Sequence, residues 1–209
     1  MPSGASRLTP PASGEAVLAS RNRKKLAEMQ ALLAPLSLKL HPVSDFTDEA
    51  AAETAPSFVE NALLKARHAA RVSGLAAIAD DSGIEVDALH GRPGVRSARY
   101  AGLDGDDAAN NALLLRELAG VPEAARGARF VCAMVWLRHA EDPVPVIAQG
   151  FWRGRILDAP RGANGFGYDP LFHVPEHGCS AAELDAAVKN RISHRARAVA
   201  ALIAQLRET

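Results

Sequence analysis

Two cysteines, two tyrosines and two tryptophans are all this 209-residue chain holds of those three types. Cys132 and Cys179 stand far apart, in no spacing that holds a metal, and nothing in their use implies an oxidising compartment. Cys132 lies in the apolar run FVCAMVWL and reads as a small buried hydrophobe. Charge of one sign is missing as well: 24 Lys and Arg balance 24 Asp and Glu. A general nucleic-acid binder carries a basic excess, so that class is excluded, whereas a small anionic ligand needs only local cations. No apolar run approaches the roughly 18 residues of a membrane helix. The opening MPSGASRLTPPASGE has no apolar core of a secretory signal, and its Pro, Ser and Gly content predicts a disordered extension over residues 1–15. The chain therefore reads as cytoplasmic, with no membrane partner. Repeats, low-complexity stretches and linkers are absent too, which leaves residues 16–209 as one domain.

What is present is an ordinary globular composition, 48% hydrophobic and 23% charged, cut into short elements. AVLAS reads as a buried strand, and RNRKKLAEMQALLAP as a helix stopped at Pro35. LKLHPV is a second strand. Ser57 and Glu60 make a capping box for a helix that should run to Ser73 and end at Gly74. LAAIAD and IEVDAL read as two strands flanking a turn at Asp80, Asp81, Ser82 and Gly83. A helix is expected over 106–119, then a long hairpin from ARFVCAMVWLRH and VPVIAQGFWRGRIL, a short strand PLFHV and two closing helices. Strands and helices intermix, and the hairpin rules out an all-parallel sheet, so the fold class is α/β with a mixed sheet.

Chemistry concentrates in five places. Ser20, Arg21, Asn22, Arg23, Lys24 and Lys25 join the first strand to the first helix, where unpaired N–H groups and local cations suit phosphate; a plain capped helix start is the alternative. Asn61, Lys65 and His68 share one helical stripe, which matters only if it faces the two aspartates. Asp80 and Asp81 repel one another unless a cation compensates them; near phosphates that cation is Mg²⁺, with Glu53 as a candidate further acidic ligand, and a plain Asp-Asp-Ser-Gly turn with a solvated Glu53 is the alternative. GANGFGYDP offers three glycines for close approach, flat faces at Phe166 and Tyr168, and an acceptor at Asp169; a glycine-rich turn with core aromatics is the alternative. Lys189, His194 and Arg195 surround the start of the last helix, with Ser193 as its N-cap.

In order, Ser-x-Asn-x-x-Lys (20–25), FVENALLKA (58–66), ADDSG (79–83), PGVRSARYAG (93–102), GFGYDPLF (165–172) and SHRARA (193–198) resemble the inosine triphosphate pyrophosphatase family, in its bacterial branch. The resemblance implies an elongated mixed β-sheet flanked by helices, two lobes with a central cleft, and a homodimer. It also implies Mg²⁺-dependent cleavage of dITP, ITP or XTP to the monophosphate and pyrophosphate. By position it makes Ser20 to Lys25 the triphosphate loop and Asp81 the catalytic acceptor and a metal ligand with Glu53. Ser82 then touches substrate, Phe166, Gly167, Tyr168, Asp169 and Lys189 line the nucleotide site, and His194 and Arg195 contact the base. Residue 21 is Arg where relatives often have Gly, and Glu53 stands where relatives often have two acids. Two rivals share these features: a pyrophosphatase for modified pyrimidine triphosphates of the related Maf-like fold, and a nucleotide sensor that binds without cleaving.

Overall fold

The computed structural model of the protein describes residues 14–102 and 105–208, the Lys24 side chain excepted. The extension expected over residues 1–15 lies outside the described residues except at its end, where Glu15 already opens a strand. The chain runs β1 (Glu15–Leu18), α1 (Arg23–Leu32), β2 (Lys39–Pro42), α2 (Phe58–Ser73), β3 (Ala76–Val86) and α3 (Asp107–Glu117), then β4 (Gly127–Leu137) and β5 (Val146–Ile156). It closes with β6 (Phe172–Val174), β7 (Cys179–Ser180), α4 (Ala186–Ile192) and α5 (His194–Glu208). The strands form one open, mixed sheet in the order β2-β1-β3-β4-β5-β6-β7, flanked by helices. Among the described residues no helix is long and apolar enough to cross a membrane.

The chain divides into two compact units, and β3, β4 and β5 each contribute residues to both. The first unit comprises the chain up to Asp81, Ala133–Gln149 and the end of the chain from Ala198. Its β1 pairs in parallel with β2 on one side and with β3 on the other, with Leu18 opposite Pro42 and Ile78. Parallel neighbours need crossover helices, and right-handed crossovers leaving β1 in one direction and returning in the other put α1 and α2 on opposite faces. The packing agrees. Ala62, Ala66, Ala69 and Ala70 of α2 are small enough to bring the helix down onto Val17, Ala77 and Ala79. Ser57 caps the helix as expected, its Oγ accepting from the Glu60 amide at 3.3 Å, but the Glu60 carboxylate returns to the Ser57 hydroxyl at 2.5 Å where a capping box would have it take the Ser57 amide. Gly74 ends the helix at φ +70°.

The second unit comprises Ser82–Cys132 and Gly150–Arg197. Its β5, β6 and β7 pair antiparallel, Arg155 opposite His173 and Val174 opposite Cys179. Ile84, Leu114, Leu118, Phe130, Trp152, Tyr168 and Phe172 form its core. Phe130 and Phe172 have ring centroids 4.6 Å apart. Cys132 is fully buried, as its apolar run implied.

One expectation is overturned. Asp80–Gly83 is no turn between two strands; β3 runs unbroken from Ala76 to Val86, with both aspartates in mid-strand. Asp, Ser and Gly are poor strand formers, but here each aspartate meets a cation from a different helix, so the strand carries them through.

Candidate active site

In the first unit, β1 ends at Leu18 while its parallel neighbour β3 continues past Ile78. The order β2-β1-β3 reverses direction at β1, and beyond the carboxyl ends of strands at such a reversal a crevice opens. The Ser20–Asn22 turn enters that space. Asn22 caps α1, its Oδ1 accepting from the Lys25 amide at 3.2 Å, while Ser20 Oγ accepts from the Asn22 amide at 3.2 Å. The concavity here, about 290 Å³, is lined by Ser20, Arg21, Asn22, Lys25, Glu53, Lys65 and His68 among others. That volume lies at the lower edge of small-molecule sites. Arg23 opens α1 and lines a separate hollow, so it does not join the loop residues expected with it; the Lys24 side chain lies outside the described residues.

Consecutive strand residues face opposite sides. Asp80, 1% exposed, turns to the α1 face and pairs with Lys25 Nζ at 2.7 Å. Asp81 turns to the α2 face, where Lys65 Nζ lies 2.8 Å from Oδ1 and the Asn61 amide 3.4 Å from Oδ2. Lys65 also reaches Glu53 Oε1 at 3.1 Å. The stripe of Asn61, Lys65 and His68 thus meets one of the aspartates, Asp81, through Asn61 and Lys65. It also holds the loop that carries Glu53: Asn61 Oδ1 accepts from the Ala55 amide at 2.9 Å, its Nδ2 lies 3.3 Å from the Ala55 carbonyl, and His68 Nε2 lies 3.3 Å from the Glu49 carbonyl.

The charges do not cancel. Asp80, Asp81 and Glu53 are gathered around the ammoniums of Lys25 and Lys65. Burial raises the Asp81 carboxyl above its ordinary pKa; Lys65 pulls it down, but Glu53 and Asp80 push it up again. Burial works against the Lys65 charge too, yet the three carboxylates outweigh it and hold that ammonium above its ordinary pKa. Among the described residues no three His, Cys, Asp or Glu side chains gather as a metal cage made of protein alone. Mg²⁺ does not ask for one, since it is held by one or two carboxylates together with water and substrate phosphates. Asp81 and Glu53 are hard oxygen donors converging on one cationic nitrogen, and they fit that ion.

The second unit holds the other group of expected residues. Phe166 is 41% exposed, with Lys189 Nζ 5.1 Å and the Arg195 guanidinium 5.6 Å from its ring centroid. Asp169 is buried; its carboxylate accepts from the Phe166 amide at 2.9 Å and from Lys189, so it organises the loop. The glycines serve the same end. A Cβ on Gly165 would overlap the Asp169 carboxylate, and one on Gly162 would come within 2.5 Å of the Ala182 backbone. Both therefore admit the chain's own neighbours, where close approach of a ligand was expected.

Tyr168 departs from its expected place. It is 4% exposed, packed in the core with its hydroxyl donating to the Ser97 carbonyl at 2.8 Å, so Phe166 alone of the pair offers an open face. His194 is buried, its ring stacked 4.7 Å from Phe130, and Ser193 caps α5 through the Ala196 amide at 3.2 Å. Ser82 follows Asp81 in β3, half-buried. Asp107 and Asn111 join this group without having been expected there: Asp107 Oδ2 accepts from the Gly167 amide at 2.7 Å, and Asn111 Nδ2 donates to the Gly167 carbonyl at 2.9 Å. Their i, i+4 spacing on an expected helix is the signal the sequence offers.

Known proteins resemble this chain along nearly its whole length. The model of the Ham1 family matches residues 16–205. A dITP/XTP pyrophosphatase of Pseudomonas aeruginosa is 58% identical over 186 residues, covering 89% of this chain and 93% of its own. One of Ralstonia nicotianae is 58% identical over 194 residues, covering 91% and 96%. Among solved structures, a HAM1 protein from Coxiella burnetii superposes with a TM-score of 0.86 at 48% identity, covering 93% of this chain and 99% of its own.

Proposed function

The chain belongs to the Ham1 family, and from that premise we propose that it is a Mg²⁺-dependent pyrophosphatase of non-standard purine nucleoside triphosphates. On this reading dITP, ITP and XTP are split to the monophosphate and pyrophosphate, and the enzyme works in the cytoplasm as a homodimer. The observation that carries the proposal is the convergence of Asp81, Glu53 and Lys65 beside the Ser20–Lys25 loop, in a chain 58% identical to proteins named dITP/XTP pyrophosphatase.

The residues divide the work. Ser20, Asn22 and the N-terminal amides of α1 receive phosphate oxygens, and Lys25 and Lys65 stabilise charge as it develops on departing pyrophosphate. Asp81, with its pKa raised, is a stronger base than an ordinary aspartate and orients or deprotonates the attacking water. Water adds at phosphorus as the anhydride bond to pyrophosphate breaks, and the water proton passes to Asp81. Asp81 and Glu53 would hold the Mg²⁺, whose contribution is to offset phosphate charge and polarise the phosphoryl group. Positioning and electrostatics thus supply most of the rate.

Base choice belongs to the second group. Phe166 offers a stacking face, and Lys189, His194 or Arg195 supply donors that favour the 6-keto group of hypoxanthine and xanthine over the 6-amino group of adenine. A site built on such bonds rejects the wrong partner by about 10⁴-fold. The test is pyrophosphate release from dITP, XTP, dATP and dGTP, with Mg²⁺ and with EDTA. Cleavage of dITP and XTP that EDTA abolishes is expected. Equal cleavage of dATP, or none of any, would overturn the proposal.

A further inference from the structure

Gly167 has both of its backbone groups held by side chains of a helix far away in sequence. Asp107, in the first turn of α3, accepts its amide hydrogen at 2.7 Å, and Asn111, one turn on, donates to its carbonyl at 2.9 Å. Residues four apart stand above one another on a helix, so the two side chains form a fork with the spacing of one peptide residue. The bonds are directional and opposite in sense, so together they fix the orientation of Gly167 and not merely its position.

Gly167 needs such a hold. Its φ is +62°, and nothing lies within 4 Å of where a Cβ would be, so packing does not define its conformation. Its neighbour Phe166 is the ring that stands 41% exposed, with the Lys189 and Arg195 cations over it. On the other side, the Phe166 amide is bound by buried Asp169, which Lys189 holds in turn. The Phe166–Gly167 segment is thus pinned from two directions, by α4 through Lys189 and Asp169, and by α3 through the fork. An apolar ring this exposed gains little from folding; fixing it makes sense if a planar ligand covers it.

We propose that Asp107 and Asn111 are positioning residues for purine recognition: the α3 fork presets the Phe166 face against which the base stacks. This rests on the function proposed above. Loosening the turn makes the protein spend binding free energy on ordering it, so base affinity falls while the phosphate chemistry in the other unit is left alone.

The test uses the full chain with Asn111→Ala, Asp107→Asn and the double variant, and Asp107→Glu as the conservative control. Steady-state cleavage of dITP is measured, together with inhibition by IMP, which carries the base, and by pyrophosphate, which does not. Asn111→Ala and Asp107→Asn should each raise KM for dITP and the IMP inhibition constant about tenfold. kcat and the pyrophosphate inhibition constant should stay within about twofold, and Asp107→Glu should recover part of the loss. If IMP binding is unchanged, or if IMP and pyrophosphate weaken together, the fork has no role in base recognition. A wild-type protein that cleaves no dITP refutes instead the function on which the fork depends.

Discussion

Replacing Asn61 with alanine tests how the site is assembled. Asn61 is fully buried, and one amide group serves three partners: it accepts from the Ala55 amide at 2.9 Å and approaches the Ala55 carbonyl at 3.3 Å and Asp81 Oδ2 at 3.4 Å. A neutral hydrogen bond contributes about 0.5–1.5 kcal/mol net, and the two longer contacts belong at the low end. Adding the small cavity left by the amide gives a loss of about 2–3 kcal/mol. For a chain of this size that lowers Tm by roughly 4–12 °C. Turnover should fall further than stability explains, by more than about tenfold, because the Ala55 anchor keeps the Glu53 loop on α2. Asn61→Asp separates the roles. It keeps an acceptor for the Ala55 amide but sets a second carboxylate against Asp81, and should damage activity at least as much. Urea unfolding and pyrophosphate release read the two effects. An alanine variant within about 0.5 kcal/mol of wild type that still turns over normally would refute the tether.

Three further outcomes follow from the geometry. Lys65→Met leaves Asp81 and Glu53 without their shared cation and should cost about 2–4 kcal/mol in urea unfolding as well as most activity; an unchanged midpoint would contradict the pairing. Asp142 is held below the usual carboxylate range by Arg138 and by the Arg138 and Val144 amides, which outweigh its burial. Its folded pKa lies below its unfolded one, so its stabilisation is full above about pH 4 and fades as pH falls towards the folded value. Asp142→Asn should therefore be less stable than wild type at pH 7, with a gap that narrows below about pH 3; a gap independent of pH would refute this. Gly165→Ala forces a Cβ onto the Asp169 carboxylate, whereas Gly167→Ala meets only the left-handed backbone cost of about 1–2 kcal/mol, so melting should rank the former as clearly worse.

Signals carried by near neighbours along the chain are legible in the amino-acid sequence by itself. The Ser57 cap, the Gly74 stop, the α3 span and the Ser193 cap all form. Signals that depend on distant partners are not. Asp80–Gly83 looks like a turn because its residues disfavour strands, and only Lys25 and Lys65, brought in by two helices, make a continuous β3 intelligible. Tyr168 and Phe166 look equivalent in GFGYDP, yet one lies in the core and the other faces outward. The glycines of GANGFGYDP look like room for a ligand, while at Gly162 and Gly165 the room is taken by the chain itself. The stripe of Asn61, Lys65 and His68 is visible as a pattern, and its meaning depends on which strand it faces.

The central claim is that Asp81 drives water into the anhydride bond that frees pyrophosphate. Phosphorus NMR of dITP turnover by wild type and by Asp81→Asn tests it most directly. Wild type should yield dIMP and pyrophosphate together in one step. The folded variant should be slower by at least about a hundredfold, the scale of losing a general base. Release of orthophosphate in successive steps, or near-normal turnover by Asp81→Asn, would contradict the claim.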